Sequence, residues 1–239
     1  MKALIIAAGS GKRIPKISSK IPKCLIKIGN KEIIKRQLQL MKDNNIKKIG
    51  MVVGFKSNKI NIKNIEYFKN TNYKNNDQLD SLFYAKKFFN DDIIVTFSDI
   101  IYENNMLKSL MKSKGKITIN ILKNWKKNYI KRFDHPHSQA DKVMISKNKV
   151  IKIGKKISMK ETNGEFIGMF KISKEFCKNF IKSYENIKKQ NKNKKLQMND
   201  LFQFMIKKKI DINYCSVKGK YIEIDTFNDF NLAQQMFKK

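Results

Sequence analysis

The stretch LIIAAGSGKRIPKISSKIPKCL, residues 4–25, decides how the rest of the chain is read. Leu4-Ile5-Ile6 is a short continuous apolar run next to the N-terminus, which predicts a strand buried on both faces. The run breaks at Ala7-Ala8-Gly9-Ser10-Gly11-Lys12-Arg13. Small side chains and two glycines let the backbone approach a phosphate chain closely, with N–H groups turned toward it. Arg13 and Lys23 bring positive charge to the same place, and Pro15 and Pro22 stiffen the connection between them. Two familiar phosphate loops do not fit. A dinucleotide fingerprint needs a third glycine at position 14, where Ile14 stands. A P-loop needs Ser or Thr after Gly-Lys, where Arg13 stands. On the glycines alone, an ordinary strand-to-loop turn stays open.

Working outward, 239 residues suit one domain, or one plus a small insertion, and 41% hydrophobic residues suffice for a core. No segment has the apolar length of a membrane span. The first strand runs straight into glycines and charges, unlike a secretory leader. Cys24, Cys177 and Cys215 are far apart and odd in number, so a reduced, cytoplasmic protein is expected. The net charge of +32 invites a polyanion partner such as nucleic acid or an anionic membrane. Composition answers that reading. The cations are almost all Lys, with Arg only at positions 13, 36 and 132, and Ile and Asn are abundant, as in an A+T-rich genome. Nucleic-acid readers favour Arg. The charge would still draw in nucleotides and phosphorylated substrates.

An amphipathic helix is expected over Lys31–Met41 and a strand over Ile49–Val53, closed by Gly54. Strand, helix, strand in that order implies a right-handed crossover and a parallel sheet. A short strand falls within Ile60–Phe68. The polar loop Asn72-Tyr73-Lys74-Asn75-Asn76 leads into a helix over Gln78–Phe88, with Asn76 or Asp77 as its N-cap. Ile93–Phe97 is the next buried strand and ends at Ser98-Asp99. Ligands of open α/β sheets sit beyond the carboxyl ends of strands, so Asp99 stands where a metal would be held, although a strand-end Asp is commonly a turn residue.

The remainder alternates similarly: a helix over Asn104–Ser113, a strand over Ile117–Leu122, a hairpin over Val143–Ile153, and a strand over Phe166–Ile172. Helices over Phe176–Ile187 and Leu196–Ile206 flank the lysine-rich loop Lys188–Lys195. A strand over Ile212–Ser216 and a closing helix over Asn228–Phe237 follow. Between the strand and the hairpin lie Trp125, Tyr129, Arg132, Asp134, His135 and His137. Asp134, His135 and His137 suggest zinc only weakly. Trp125 and Tyr129 either pack or build an aromatic wall for an ammonium. In Ile222-Glu223-Ile224-Asp225 the acids alternate, so Glu223 and Asp225 share a face, paired with lysines or holding a metal.

Taken whole, A-A-G-x-G-x-R followed by P-K-x-L resembles the signature of nucleotidyltransferases that join an NTP to a phosphorylated small molecule. The match falls on Gly9, Gly11, Arg13, Pro22 and Lys23. N-x-x-Y-x-x-N-N-x-x-x-S-L resembles the family's base-reading loop, at Asn72, Asn76 and Ser81 among others, and Y-I-E-I-D-x-x-x-D resembles its C-terminal metal motif. W-x-x-x-Y-x-x-R-x-x-H-P followed by Gly164-Glu165-Phe166-Ile167-Gly168 looks like the branch that activates phosphocholine or 2-aminoethylphosphonate with CTP. That branch usually has an acid before the Trp, where Leu122 stands here.

The resemblance implies a three-layer, Rossmann-like (GT-A-like) α/β fold with a mostly parallel central sheet, one domain over 1–239, and a β-rich acceptor-binding insertion over 117–172. It implies Lys23 and Arg13 as catalytic residues, and Ala7, Ala8, Gly9, Ser10, Gly11, Asn72, Asn76 and Ser81 around CTP. Asp99, Glu223 and Asp225 would hold Mg²⁺, and Glu165, Trp125 and Tyr129 would bind a small phosphate or phosphonate acceptor. A sugar-1-phosphate nucleotidyltransferase using UTP or dTTP shares the first loop. A basic nucleic-acid-binding protein is the rival of another class, but clustered arginines and exposed aromatics are not evident.

Overall fold

The computed structural model describes residues 1–11, 13–14, 19–192 and 194–238. Lys12 and Pro15 lie outside the described residues. Strands are numbered β1 Lys2–Ala7, β2 Lys27–Ile28, β3 Lys31–Glu32, β4 Lys48–Val53, β5 Glu66–Lys69, β6 Ile93–Phe97 and β7 Ile100–Tyr102. They continue with β8 Ile117–Leu122, β9 Lys142–Ser146, β10 Lys149–Ile153, β11 Gly164–Ile172, β12 Asn213–Val217 and β13 Tyr221–Glu223. Helices are α1 Ile33–Asp43, α2 Gln78–Phe83, α3 Asn104–Lys112, α4 Trp125–Tyr129, α5 Cys177–Gln190, α6 Met198–Lys207 and α7 Phe227–Phe237.

β1 lies between β4 and β6, parallel to both, and β5 extends the parallel half beyond β4. All six residues of β1 are buried, as both faces must be when every side chain is covered. Leu4 and Ile5 are fully buried, each worth about 1.5–3 kcal/mol relative to exposure. β11 then enters antiparallel to β6, with β8 on its other edge, and β12 runs parallel to β8. The described residues form a mixed parallel and antiparallel sheet of nine strands. The stretch 117–172 supplies β8–β11 to that sheet, with the β9–β10 hairpin joining β11 only at Gly164 and Glu165.

β11 changes register between Phe166 and Phe170, and Gly168 sits in the gap with φ 69°. A Cβ there would lie 2.7 Å from the ring of Phe97. Gly168→Ala should therefore destabilise the protein by about 2 kcal/mol or more, from left-handed backbone plus overpacking. Urea unfolding with an unchanged midpoint would refute this.

Two small pairings complete the frame. β13 is antiparallel to β7, and β2 to β3. The helix expected over Gln78–Phe88 is shorter: α2 stops at Phe83, and a separate 3₁₀ turn covers Lys86–Phe88. Asp77 is its N-cap, accepting from the Gln78 N–H at 2.7 Å. Among the described residues, no helix is long and apolar enough to cross a membrane.

Candidate active site

The loop after β1 forms one wall of a cleft of about 280 Å³. Ala7, Ala8, Gly9, Ser10, Gly11, Arg13, Lys23, Asn76, Ser81 and Asp99 all line it. Gly11 has φ 61°, which turns the chain sharply at little cost for a residue without Cβ. Tyr73, Asp77 and Gln78 also line the cleft, as do Phe97 and Ser98 at the end of β6. Asn72 does not. It borders a neighbouring cavity, and its Oδ1 accepts from Asn75 Nδ2 at 2.8 Å. Sequence reasoning missed Asn70, the buried hub of this region. Its Nδ2 donates to Asn76 Oδ1 at 3.0 Å and Ser81 Oγ at 2.9 Å, holding both at the cleft.

The chemistry centres on Lys23. Its ammonium donates to Asp99 Oδ2 at 3.0 Å and to Asp225 Oδ1. Arg13 Nη2 reaches Asp225 Oδ2 at 2.7 Å. Burial disfavours the Lys23 charge, but Asp99 and Asp225 more than offset it and hold its pKa above the ordinary lysine value. Burial likewise opposes the Asp225 charge, and Lys23 and Arg13 pull its carboxyl below the usual range. Glu223 goes the other way. Burial, and then the carboxylates of Asp225 and Asp99, push it well above its ordinary value.

Backbone pairing brings these distant residues together. The Ile224 N–H donates to the Asp99 carbonyl at 2.9 Å, next to the β13–β7 ladder. From α1, Gln37 Nε2 donates to the carbonyls of Phe97 and Ile100 at 2.9 and 2.8 Å, clasping the turn that carries Asp99. No sequence pattern marked Gln37; a buried amide on a helix face gives no local signal.

The donor set suits a hard divalent cation, which takes carboxylate oxygens. Asp99 and Asp225 already share one cationic partner, and burial with these two neighbouring carboxylates resists ionisation of Glu223. His135, Glu223 and Asp225 also bring ligand atoms within 4.8 Å of one another. His135 Nδ1 lies 2.7 Å from Arg132 Nη2, so that nitrogen is engaged and Nε2 is the atom left for a ligand. Asp134, His135 and His137, which suggest zinc only weakly, form no cluster of ligand atoms among the described residues, and His137 stacks on Tyr129 at 5.0 Å.

Glu165, Trp125 and Tyr129 form a separate buried group. Of the two readings left open for Trp125 and Tyr129, packing accords with their burial, at 1% and 5% exposed. They pack edge-to-face at 5.5 Å, and the Tyr129 hydroxyl donates to Glu165 Oε1 at 2.5 Å. Glu165 Oε2 is buried without a hydrogen-bond partner among the described residues. Burial pushes the Glu165 carboxyl from 4.5 up to about 7, against the opposing pull of Tyr129 and Arg132. The folded protein therefore holds this proton where the unfolded chain has lost it. The Glu165 contribution to stability is full below about pH 4.5 and falls by about 3 kcal/mol as pH rises to about 7. Glu165→Gln should gain stability relative to the wild type across that window. Parallel pH–stability curves would refute it.

The sequence profile of the family described as "Nucleotidyl transferase" matches residues 2–131. A CTP:phosphoglutamine cytidylyltransferase from Campylobacter jejuni is 29% identical over 249 residues, spanning 97% of this chain and 98% of that protein. The solved inositol-1-phosphate CTP transferase from T. maritima superposes with a TM-score of 0.77 at 18% identity, over 99% of this chain and 95% of that one. A CTP:phosphocholine cytidylyltransferase from Streptococcus pneumoniae gives 0.74 at 17% identity, over 99% of both chains. At these identities the two structures speak for the fold alone.

Proposed function

The chain belongs to the nucleotidyl transferase family and is a nucleotidyltransferase, and from that premise we propose that it transfers CMP from CTP to a small phosphate or phosphonate that also carries nitrogen. The observation that carries the reading is Lys23, held between Asp99 and Asp225 in the cleft formed by the Gly-rich loop. CTP is favoured by the relative that matches almost end to end. The acceptor class includes phosphocholine and 2-aminoethylphosphonate, and phosphoglutamine enters it from the same relative's name.

An acceptor oxygen attacks the α-phosphorus of CTP, and pyrophosphate leaves. Positioning and charge neutralisation supply the acceleration. The N–H groups of Gly9–Gly11 line the triphosphate. Lys23 exchanges its carboxylate partners for an α-phosphate oxygen, where negative charge grows. Arg13, with a half-exposed side chain, holds the departing phosphates. Asp99, Asp225 and Glu223 would hold Mg²⁺. When bound, the ion would neutralise phosphate charge. A covalent nucleophile is not required. Burial raises the Cys24 thiol to about 12 and Cys177 to about 11, far from a reactive thiolate.

Glu165 is the proposed partner of the acceptor's nitrogen end, through its unpaired buried oxygen. Trp125 and Tyr129 would support it from behind.

Pyrophosphate release from each of four NTPs tests the reading, with phosphocholine, 2-aminoethylphosphonate, phosphoglutamine and sugar-1-phosphates as acceptors. CTP with a nitrogen-bearing acceptor is the expected pair. Release confined to UTP or dTTP with a sugar-1-phosphate would overturn it. Glu165→Gln should selectively slow acceptors that carry an amine; equal slowing of an amine-free analogue removes Glu165 from recognition.

A further inference from the structure

Two sequence motifs meet behind the carboxylates. Arg132 comes from the block that begins at Trp125, and Asp229 closes the motif that begins at Tyr221. Arg132 Nε donates to Asp229 Oδ1 at 2.6 Å, with the side chains 3% and 0% exposed. The other Asp229 oxygen accepts the backbone N–H of Asp225 at 3.1 Å and of Thr226 at 2.9 Å. Arg132 Nη2 donates to the Glu223 carbonyl at 3.1 Å. One ion pair therefore grips the chain on both sides of Ile224, whose own N–H is bonded to the Asp99 carbonyl.

We propose that the Arg132–Asp229 pair is a positioning device that sets the aim of Glu223 and Asp225. The inference rests on reading those carboxylates as cation ligands.

Asp229 also completes the capping box of α7 with Thr226. A cap needs one carboxylate oxygen and no arginine, so the bonds to Arg132 and Asp225 exceed that role. Stability alone is also a weak reason for a fully buried ion pair, since apolar replacements are often as stable. A fork that spans a carboxylate and a carbonyl fixes geometry, and lysine cannot reproduce it.

The experiment uses the full chain, with Mn²⁺ alone as probe, followed by electron paramagnetic resonance. Arg132→Lys should weaken Mn²⁺ binding about 10- to 100-fold and lower kcat similarly, while KM for CTP stays within about threefold. Asp229→Asn, which can still cap α7, should behave the same way. Circular dichroism and Tm are recorded for each. A purely structural pair would lower Tm while Mn²⁺ affinity and kcat of the folded protein stay at wild-type values, and that result overturns the proposal. Loss of the fold in both variants overturns it as well, since the pair is then a stability element. A wild type that binds no Mn²⁺ overturns the ligand reading and this inference together. Normal wild-type binding with unchanged variants overturns this inference alone.

Discussion

Asp225→Asn should lower kcat by about 10²–10³-fold, the scale of losing one preorganised electrostatic partner. Asp225 is the carboxylate on which Lys23 and Arg13 converge, and its side chain is 2% exposed. The substitution keeps the shape and removes the charge. Two cations then face each other across a neutral amide, and a proposed cation ligand is lost. Because the group is buried, stability should fall too, by about 3–5 kcal/mol if nothing rearranges. This burial separates Asp225 from Asp99, whose side chain is 21% exposed. The pH dependence has a definite sign. The folded pKa of Asp225 lies below its unfolded value, so its contribution is present above the unfolded pKa and is lost as pH falls through the folded one. The stability gap between wild type and Asp225→Asn should be full at neutral pH and close in acid. Near wild-type turnover would remove Asp225 from the site, and a gap that widens in acid would contradict its depressed pKa.

Lys23→Ala should lower kcat by about 10²–10³-fold with KM for CTP changed only a fewfold, because the ammonium matters most where charge builds on the α-phosphate. A rise in KM alone would make Lys23 a binding residue. The variant also has a signature in the absence of substrate. Lys23 is the shared counter-charge of Asp99 and Asp225, and Glu223 lies close enough to both for their charges to raise its pKa. Without the ammonium these acids repel one another. Tm should drop, and Mg²⁺ should raise it more in Lys23→Ala than in the wild type. Equal Mg²⁺ shifts in differential scanning fluorimetry would show that Lys23 does not neutralise a cation site.

The N-terminal half of the site was legible because it is local. The Leu4–Ile6 run, the small-residue loop and Lys23 lie close together in the chain, and the cleft lining matches that stretch. Asp99 and the Glu223–Asp225 pair were legible as types at strand ends. Their convergence was not, since Lys23 and Asp225 are 202 positions apart. The fate of the Trp125 block was also hidden. An aromatic at helical spacing does not say which groups it meets: Tyr129 turns its hydroxyl to Glu165, and its ring lies 4.9 Å from the Arg132 guanidinium.

What the sequence alone determined is whatever a short window can encode: buried strands from apolar runs, amphipathic helices from periodicity, a small-residue loop after the first strand, and the order of the motifs. What only the tertiary structure decided is which groups share an environment. Gln37 clasps the Asp99 turn, Arg132 meets Asp229, and Gly168 yields to Phe97 across strands. The shifts of Lys23, Glu165 and Glu223 belong to the same class, because burial and neighbouring charge set them, and neither is a property of a residue's position in the chain.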